Sequence, residues 1–279
     1  SYTRFPQTRM GVEQVFVDYF QRAKEYDSKW KEYNSLPRRE RSRINPPRYD
    51  VEMKVLAEIL NKERFISCHS YVQSEINMLM EVAEKFNFTV RTFTHILEGY
   101  KVATKMKNHG AGGSTFSDWW AYKYEVNDAI PHNGPIMTKA GVTVAYNSDD
   151  AEMSRRLNQE AAKAVKYSGI SEEEAWKYIT INPAKLLMID DKVGSIKEGK
   201  HADLTLWNNN PLSVYAVAEK TMIEGVVYYD INEKQNLIKE NKDEKNMLLS
   251  MMIEAKDRGE ETVAPTVTEK RILTCESLD

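Results

Sequence analysis

The stretch VTVAYNSDDAEMSRRLNQEAAKAV, residues 142–165, decides how the chain is read. Val142, Val144 and Tyr146 alternate as a strand does, and the segment from Arg155 to Val165 places Leu157, Ala161, Ala164 and Val165 at helical spacing. Between them stand two adjacent acids, Asp149 and Asp150, at the carboxyl end of a strand and on the loop that opens a helix. A single helix cap needs one carboxylate, which accepts the orphan backbone N–H groups and meets the favourable end of the dipole. The second acid is free to be a ligand or a general base at the functional face of an α/β fold.

Working outward, the same rhythm recurs upstream. RFISC (64–68) reads as a strand followed by the helical QSEINMLMEVAEKF, and TVRTFTH (89–95) as a strand followed by the helical LEGYKVATKMKN. GGSTFSDWW (112–120) reads as a third strand, followed by a long loop, and VTVAY is the fourth. Strand starts about 25 residues apart suit βα units and a parallel sheet, which carries its chemistry at the carboxyl ends. There the chain has Cys68-His69-Ser70, Thr94-His95 and Asn147-Ser148-Asp149-Asp150. One histidine at a strand end is ordinarily a hydrogen-bonded structural residue. Two at matching positions with an acid two strands later point to a metal or acid–base site.

The 279 residues suffice for one large domain or two modest ones, and 39 basic against 42 acidic side chains leave a net charge of −3. That balance gives no reason to expect nucleic acid or an anionic membrane as partner, and no window has the apolar length of a membrane span. Cys68 and Cys275 are too few for a disulfide framework.

Before the repeat, Gly11–Trp30 has helical period, LPRRERSRINPPRYD (36–50) is a basic connection ending in the candidate cap Asp50, and VEMKVLAEILNKE is a helix. After it, SEEEAWKYITINPAKLLMID (171–190) reads as one helix with a capping box from Ser171 to Glu174. ADLTLW and the two halves of KTMIEGVVYYD, hinged at Glu224-Gly225, read as strands of a small antiparallel sheet. Beyond Ile231 a charged helix runs to about Arg258, then a polar tail; MLLSMMI (247–253) within it reads as a packing face.

Taken together, NSDD, TINPAKLL, GSIKEGKHADLTLW and MIEGVVYYD resemble the C-terminal half of an amidohydrolase-superfamily enzyme of the imidazolonepropionase-related group, over about Thr8 to Asp230. The resemblance implies the second half of a metal-dependent (β/α)8 TIM barrel for residues 1–190, strands of a small composite β-sandwich for 191–230, and a helical extension and tail for 231–279. It implies a mono- or binuclear divalent-metal centre, with Zn the default and Fe or Mn the alternatives. By position, His69 resembles the fifth-strand ligand, His95 the sixth-strand ligand and Asp149 the eighth-strand acid and proton shuttle, leaving Asp150 to cap the helix. No HxH pair occurs in this chain and the fourth-strand ligand has no counterpart, so the N-terminal half of the same enzyme is an expected partner.

The implied reaction is hydrolysis of an amide or other C–N bond in a small molecule or short peptide, with a deaminase or dipeptidase as alternatives on the same scaffold. A non-catalytic half-barrel that serves as an interaction module is the rival from another class, and a homo-oligomer is compatible with either. Arg9, Lys123, His132 and Asn133 are candidate substrate contacts. The last three lie in the aromatic loop STFSDWWAYKYEVNDAIPHNG (114–134), whose Trp119, Trp120 and Tyr122 read either as a lid or as core closure. The glycines Gly110, Gly112 and Gly113 are a weak candidate for a phosphate cradle, since no helix directly follows.

Overall fold

The computed structural model describes residues 3–120, 123–261 and 263. Tyr122, Cys275 and nearly all of the polar tail lie outside the described residues. Helix α1 (Arg9–Ser35) starts at Thr8, whose hydroxyl accepts from Gly11 N, and is followed by α2 (Arg38–Arg41) and α3 (Val51–Leu60). Asp50 caps α3 as its sequence position predicts, accepting from Met53 N at 3.1 Å.

The βα alternation then follows: β1 (Ile66–His69), α4 (Gln73–Lys85), β2 (Val90–Thr94), α5 (Ala103–His109), β3 (Gly112–Thr115), α6 (Asn133–Lys139) and β4 (Val144–Tyr146). The four strands form one parallel sheet in the order β1-β2-β3-β4, so the expected α/β class and the parallel sheet hold. The core lies between this sheet and its helices, with Ile76, Met80, Val90, Phe93, Met106 and Val144 fully buried. Gly112 is glycine for want of space: a Cβ there would drive into the Leu186 side chain. This close packing, and not a phosphate cradle at the strand, accounts for the bare β3 backbone.

Several predicted elements are shorter than their patterns. The third strand ends at Thr115, because Ser117 onward turns into side-chain hydrogen bonding in place of a ladder. The helix expected over Arg155–Val165 is α8 (Leu157–Ser168), and a short α7 (Ala151–Ser154) precedes it. The single helix expected over 171–190 is two, α9 (Glu172–Lys177) and α10 (Ile181–Leu186). Thr180 leaves the helical region between them, and Pro183 then falls in the first turn of α10, where its missing N–H costs nothing. Ser171 does cap α9 by accepting from Glu174 N, while the Glu174 carboxylate pairs with Lys177.

The remaining strands β5 (Leu204–Trp207), β6 (Ala218–Ile223) and β7 (Val226–Asp230) form the expected small antiparallel sheet. Glu224 and Gly225 both take positive φ, 50° and 81°, as a two-residue turn matched to strand twist requires. Helix α11 (Ile231–Asp257) follows, capped by Asp230, and buries none of its residues.

The two edges of the parallel sheet differ. On β4, Thr143 O and Asn147 N bond to β3, and the groups facing the other way are also satisfied: Asn182 Nδ2 donates to Val144 O at 2.8 Å and Tyr146 N donates to Tyr178 O at 2.8 Å. On β1, Ser70 N bonds to β2, whereas Ser67 and His69 on the opposite side are exposed. Beside that edge a cavity of about 500 Å³ is lined by Phe16, Tyr19, Leu56, Ile59 and Ile66.

Tyr178 is buried against Tyr146, and its hydroxyl lies 2.6 Å from Thr138 Oγ1. Burial pushes its phenol up to about 12. An unfolded tyrosine ionises near ~10, so the folded chain holds that proton more tightly and stability falls as pH rises from about 10 toward 12. Chemical denaturation from pH 8 to 11 should show this alkaline loss, and Tyr178→Phe should reduce it. An unchanged alkaline slope in Y178F would refute the assignment.

Candidate functional site

The carboxyl ends of β1, β2 and β4 bring His69, His95 and Asp149 together. The His69 and His95 rings lie 4.4 Å apart between centroids, and His95 Nε2 is 3.1 Å from Asp149 Oδ1. His95 is buried, whereas His69 is exposed and the Asp149 side chain is half exposed at 48%. Burial pushes the His95 pKa below its ordinary value, outweighing the pull of Asp149, and the neighbouring His69 adds to the depression. His95 is therefore neutral at and above pH 7, with a lone pair to offer. Its Nδ1 is buried without a hydrogen-bond partner.

His95 takes φ of 63°, a left-handed conformation that is uncommon outside glycine and tends to mark functional sites. The tandem acids divide their work in geometric terms: Asp150 accepts from Glu152 N and Met153 N to cap α7, which leaves Asp149 on the imidazole.

An aromatic wall backs the imidazole. Phe116 stacks on His95 at 5.4 Å, Trp119 stacks on Phe116 at 4.2 Å, and the Tyr71 ring lies 6.2 Å from His95. Lys123 sits 3.9 Å over the Tyr71 ring, so this candidate contact does reach the neighbourhood of His95. Trp119 Nε1 donates to Met153 Sδ and Trp120 is about half exposed. Behind the wall the carboxylates of Asp118 and Glu160 share Lys163, and Ser117 donates to Glu160. The sequence signal for this network was an acid, Glu160, on the apolar stripe of Leu157, Ala161 and Ala164.

The other candidate contacts fall elsewhere. Arg9, at the start of α1, pairs with Glu75 at 2.7 Å and lines a cavity of about 200 Å³ with Glu98 and Asp128. His132 Nδ1 lies 2.7 Å from Ser168 Oγ on α8. Asn133 is buried and spent: its Oδ1 accepts from Tyr100 N, and its Nδ2 donates to Ile96 O and Thr115 Oγ1. It stitches the β2 and β3 loops together and has no amide group left for a substrate.

Two imidazoles and a carboxylate are the donor types that a first-row divalent ion takes, and the partnerless His95 Nδ1 is a donor in want of a partner. Their arrangement is not that of a finished centre. Among the described residues no group of three or more His, Cys, Asp or Glu side chains could by itself hold a metal ion.

A chain with a parallel α/β sheet and such groups at its strand ends belongs to a class in which hydrolases are common. Residues 125–240 match the family model described as "Amidohydrolase family". Among curated proteins, the chain is 28% identical over 187 residues to "Amidohydrolase tasK" of Hapsidospora irregularis, covering 65% of this chain and 19% of that one. It is 29% identical over 127 residues to an imidazolonepropionase of Picrophilus torridus, covering 46% of this chain and 32% of that one. The chain thus spans a third or less of the length of these relatives. Among solved structures, an amidohydrolase from Thermotoga maritima MSB8 superposes with a TM-score of 0.72 at 28% identity, covering 82% of this chain and 58% of that one.

Removing the Asn133 side chain takes one hydrogen bond each from Ile96 O, Thr115 Oγ1 and Tyr100 N; Ile96 O keeps Gly99 N and Thr115 Oγ1 keeps Phe116 O, whereas the Tyr100 N–H loses its acceptor. Asn133→Ala should therefore cost about 2–4 kcal/mol by urea denaturation. A loss under ~0.5 kcal/mol, the level of ordinary surface substitutions, would refute the stitching role.

Proposed function

We propose that this chain supplies part of the active site of a metal-dependent hydrolase that cleaves an amide or other C–N bond in a small molecule or short peptide. The observation that carries this reading is the 3.1 Å contact between buried His95 and Asp149, with the His69 ring against it, at the carboxyl ends of a parallel sheet. The amidohydrolase segment and the solved relative support the same chemistry.

In this reading His69, His95 and Asp149 contribute to holding a divalent ion, with Zn the first choice and Fe or Mn the alternatives, and further donors come from beyond the described residues. Such an ion, when bound, lowers the pKa of a water toward ~7 and polarises a carbonyl. Asp149 takes a proton from the attacking water through its free carboxylate edge and returns it to the leaving nitrogen. His95 keeps that carboxylate oriented, and Phe116, Tyr71 and Trp119 exclude bulk water from one side of the imidazole. Lys123, above Tyr71, is placed to meet a negative or carbonyl group of the substrate.

The remaining donors are assigned to an N-terminal half of the same enzyme, which would make these four strands half of a TIM barrel. The open edge of β1 with its apolar cavity, against the sealed edge of β4, supports a strand added on the β1 side. The sheet β5-β6-β7 exposes Leu206, Ile223, Val226, Val227 and Tyr228, which supports a second layer that would complete a small sandwich.

The test is to reconstitute the chain with the N-terminal half of its parent polypeptide, load it with Zn, and assay dipeptides, N-acyl amino acids and cyclic amides. Turnover that is lost to a chelator and falls about 10²–10⁴-fold in Asp149→Asn is the expected result. A folded, metal-loaded complex that hydrolyses none of these, or is indifferent to D149N, would overturn it.

A further inference from the structure

At the other end of the sheet from His95, the structure holds a second polar cavity. It has a volume of about 340 Å³, within the range of small-ligand sites, and it opens where β2, β3 and β4 begin. Arg91 is the second residue of β2 and His95 follows its end, so the two stand about 13 Å apart along an extended strand. The cavity is therefore separate from the candidate active site.

Three cations line it: Arg91 from β2, Lys107 from α5 and Lys185 from α10. Among the described residues none of the three has a carboxylate within 4.0 Å, although Lys and Arg side chains elsewhere in the chain make such contacts. One acid, Asp190, shares the lining and opposes them, which leaves a net charge of +2. Arg91 Nη2 donates to Lys185 O at 2.8 Å, which pins the guanidinium, but its Nε is buried with no partner. A buried, unsatisfied, permanently charged donor is costly unless something accepts from it.

The opposite wall is glycine backbone. Gly110 and Gly141 both take positive φ, 86° and 88°, and a Cβ on Gly141 would press on the Lys107 side chain at 3.2 Å from Cε. Gly141 leaves room for the lysine chain, and Gly110 is the left-handed cap that ends α5. They include one of the three that, read from sequence alone, suggested a phosphate cradle. Gly113 is explained by packing, whereas Gly110 and Gly112 both line the basic cavity.

We infer that this cavity binds a small multiply charged oxyanion, a phosphate or the phosphoryl group of a larger ester, held by Arg91, Lys107 and Lys185. The anion ties β2 to α5 and α10 and braces the amino-terminal end of the sheet. It takes no part in chemistry at the opposite end.

The test uses the purified 279-residue chain, titrated with inorganic phosphate at constant ionic strength and followed by thermal unfolding and isothermal calorimetry. Saturable binding with a rising Tm is expected, weakened about 10-fold or more in Arg91→Gln and in Lys107→Gln, and strengthened in Asp190→Asn. Far-UV circular dichroism checks that each variant is folded. Comparing phosphate with glycerol phosphate separates the sources: equal affinities assign the free ion, and tighter ester binding assigns a phosphorylated metabolite. A Tm that follows chloride equally well, or binding that folded R91Q and K107Q leave unchanged, would overturn the site.

Discussion

The seat of Ile96 is the constraint on which the candidate site depends. Its side chain is fully buried and packs onto β3 where Gly113 has no side chain; a Cβ there would stand 2.6 Å from Ile96 Cδ1. Gly99 makes room on another side, at 2.9 Å from the same atom. The backbone of Ile96 is held as tightly, since its N–H donates to Ser114 O and its carbonyl accepts from Asn133 Nδ2. With the next residue fixed at both its backbone and its side chain, His95 has little choice of conformation. Its left-handed φ costs on the order of 1–3 kcal/mol, and the Ile96 anchor offsets that strain. Packing beneath the site thus sets the direction of an imidazole above it.

A second constraint is the unequal treatment of the sheet edges. A strand edge is a row of unpaired N–H and C=O groups that will recruit another strand unless something covers it. The chain covers the β4 edge with the Asn182 side chain and the Tyr178 carbonyl, using the helix break between α9 and α10 that its pattern does not announce. Along β1, Ser67 and His69 are exposed. An exposed histidine on an exposed edge is an awkward metal ligand, because its ring meets His95 on one side and solvent on the other. Pairing β1 with another strand would order the edge and bury that imidazole in one step. The incompleteness of the metal-binding group and the openness of the sheet therefore have a common physical origin in the proposed reading.

Much of this was legible in the sequence because it is local. Strand alternation, the caps at Asp50, Ser171 and Asp150, and the turn at Glu224-Gly225 each depend on residues within a few positions of one another. The convergence of His69, His95 and Asp149 was legible too, since parallel strands with matched ends put the same sequence offset at the same place. Long-range partners were not legible in the same way. Asn133 looked like a polar residue on a lid and is a buried staple between two loops, bonded to residues 18 to 37 positions away. His132, beside it, is taken up by Ser168, a residue on a helix that no local pattern connects to it. For Lys163 between Asp118 and Glu160, the sequence showed an acid on an apolar stripe but not the partners that it would meet.

The paired acids show how a local requirement can serve a distant one. Asp150 must keep an extended backbone to cap α7, and its carboxylate is fixed by two N–H groups of that helix. Ser148 closes the turn from the other side, donating from its hydroxyl to Asp150 O and accepting from Asp150 N. Asp149 is therefore caught between two residues whose hydrogen bonds are already committed. Its own side chain extends to the imidazole at the end of β2, two strands away. Were the acids exchanged in role, the capping geometry would pull the ligand carboxylate down onto the helix and away from His95. The order of the two residues, one to the histidine and the next to the helix, follows from where the helix must start.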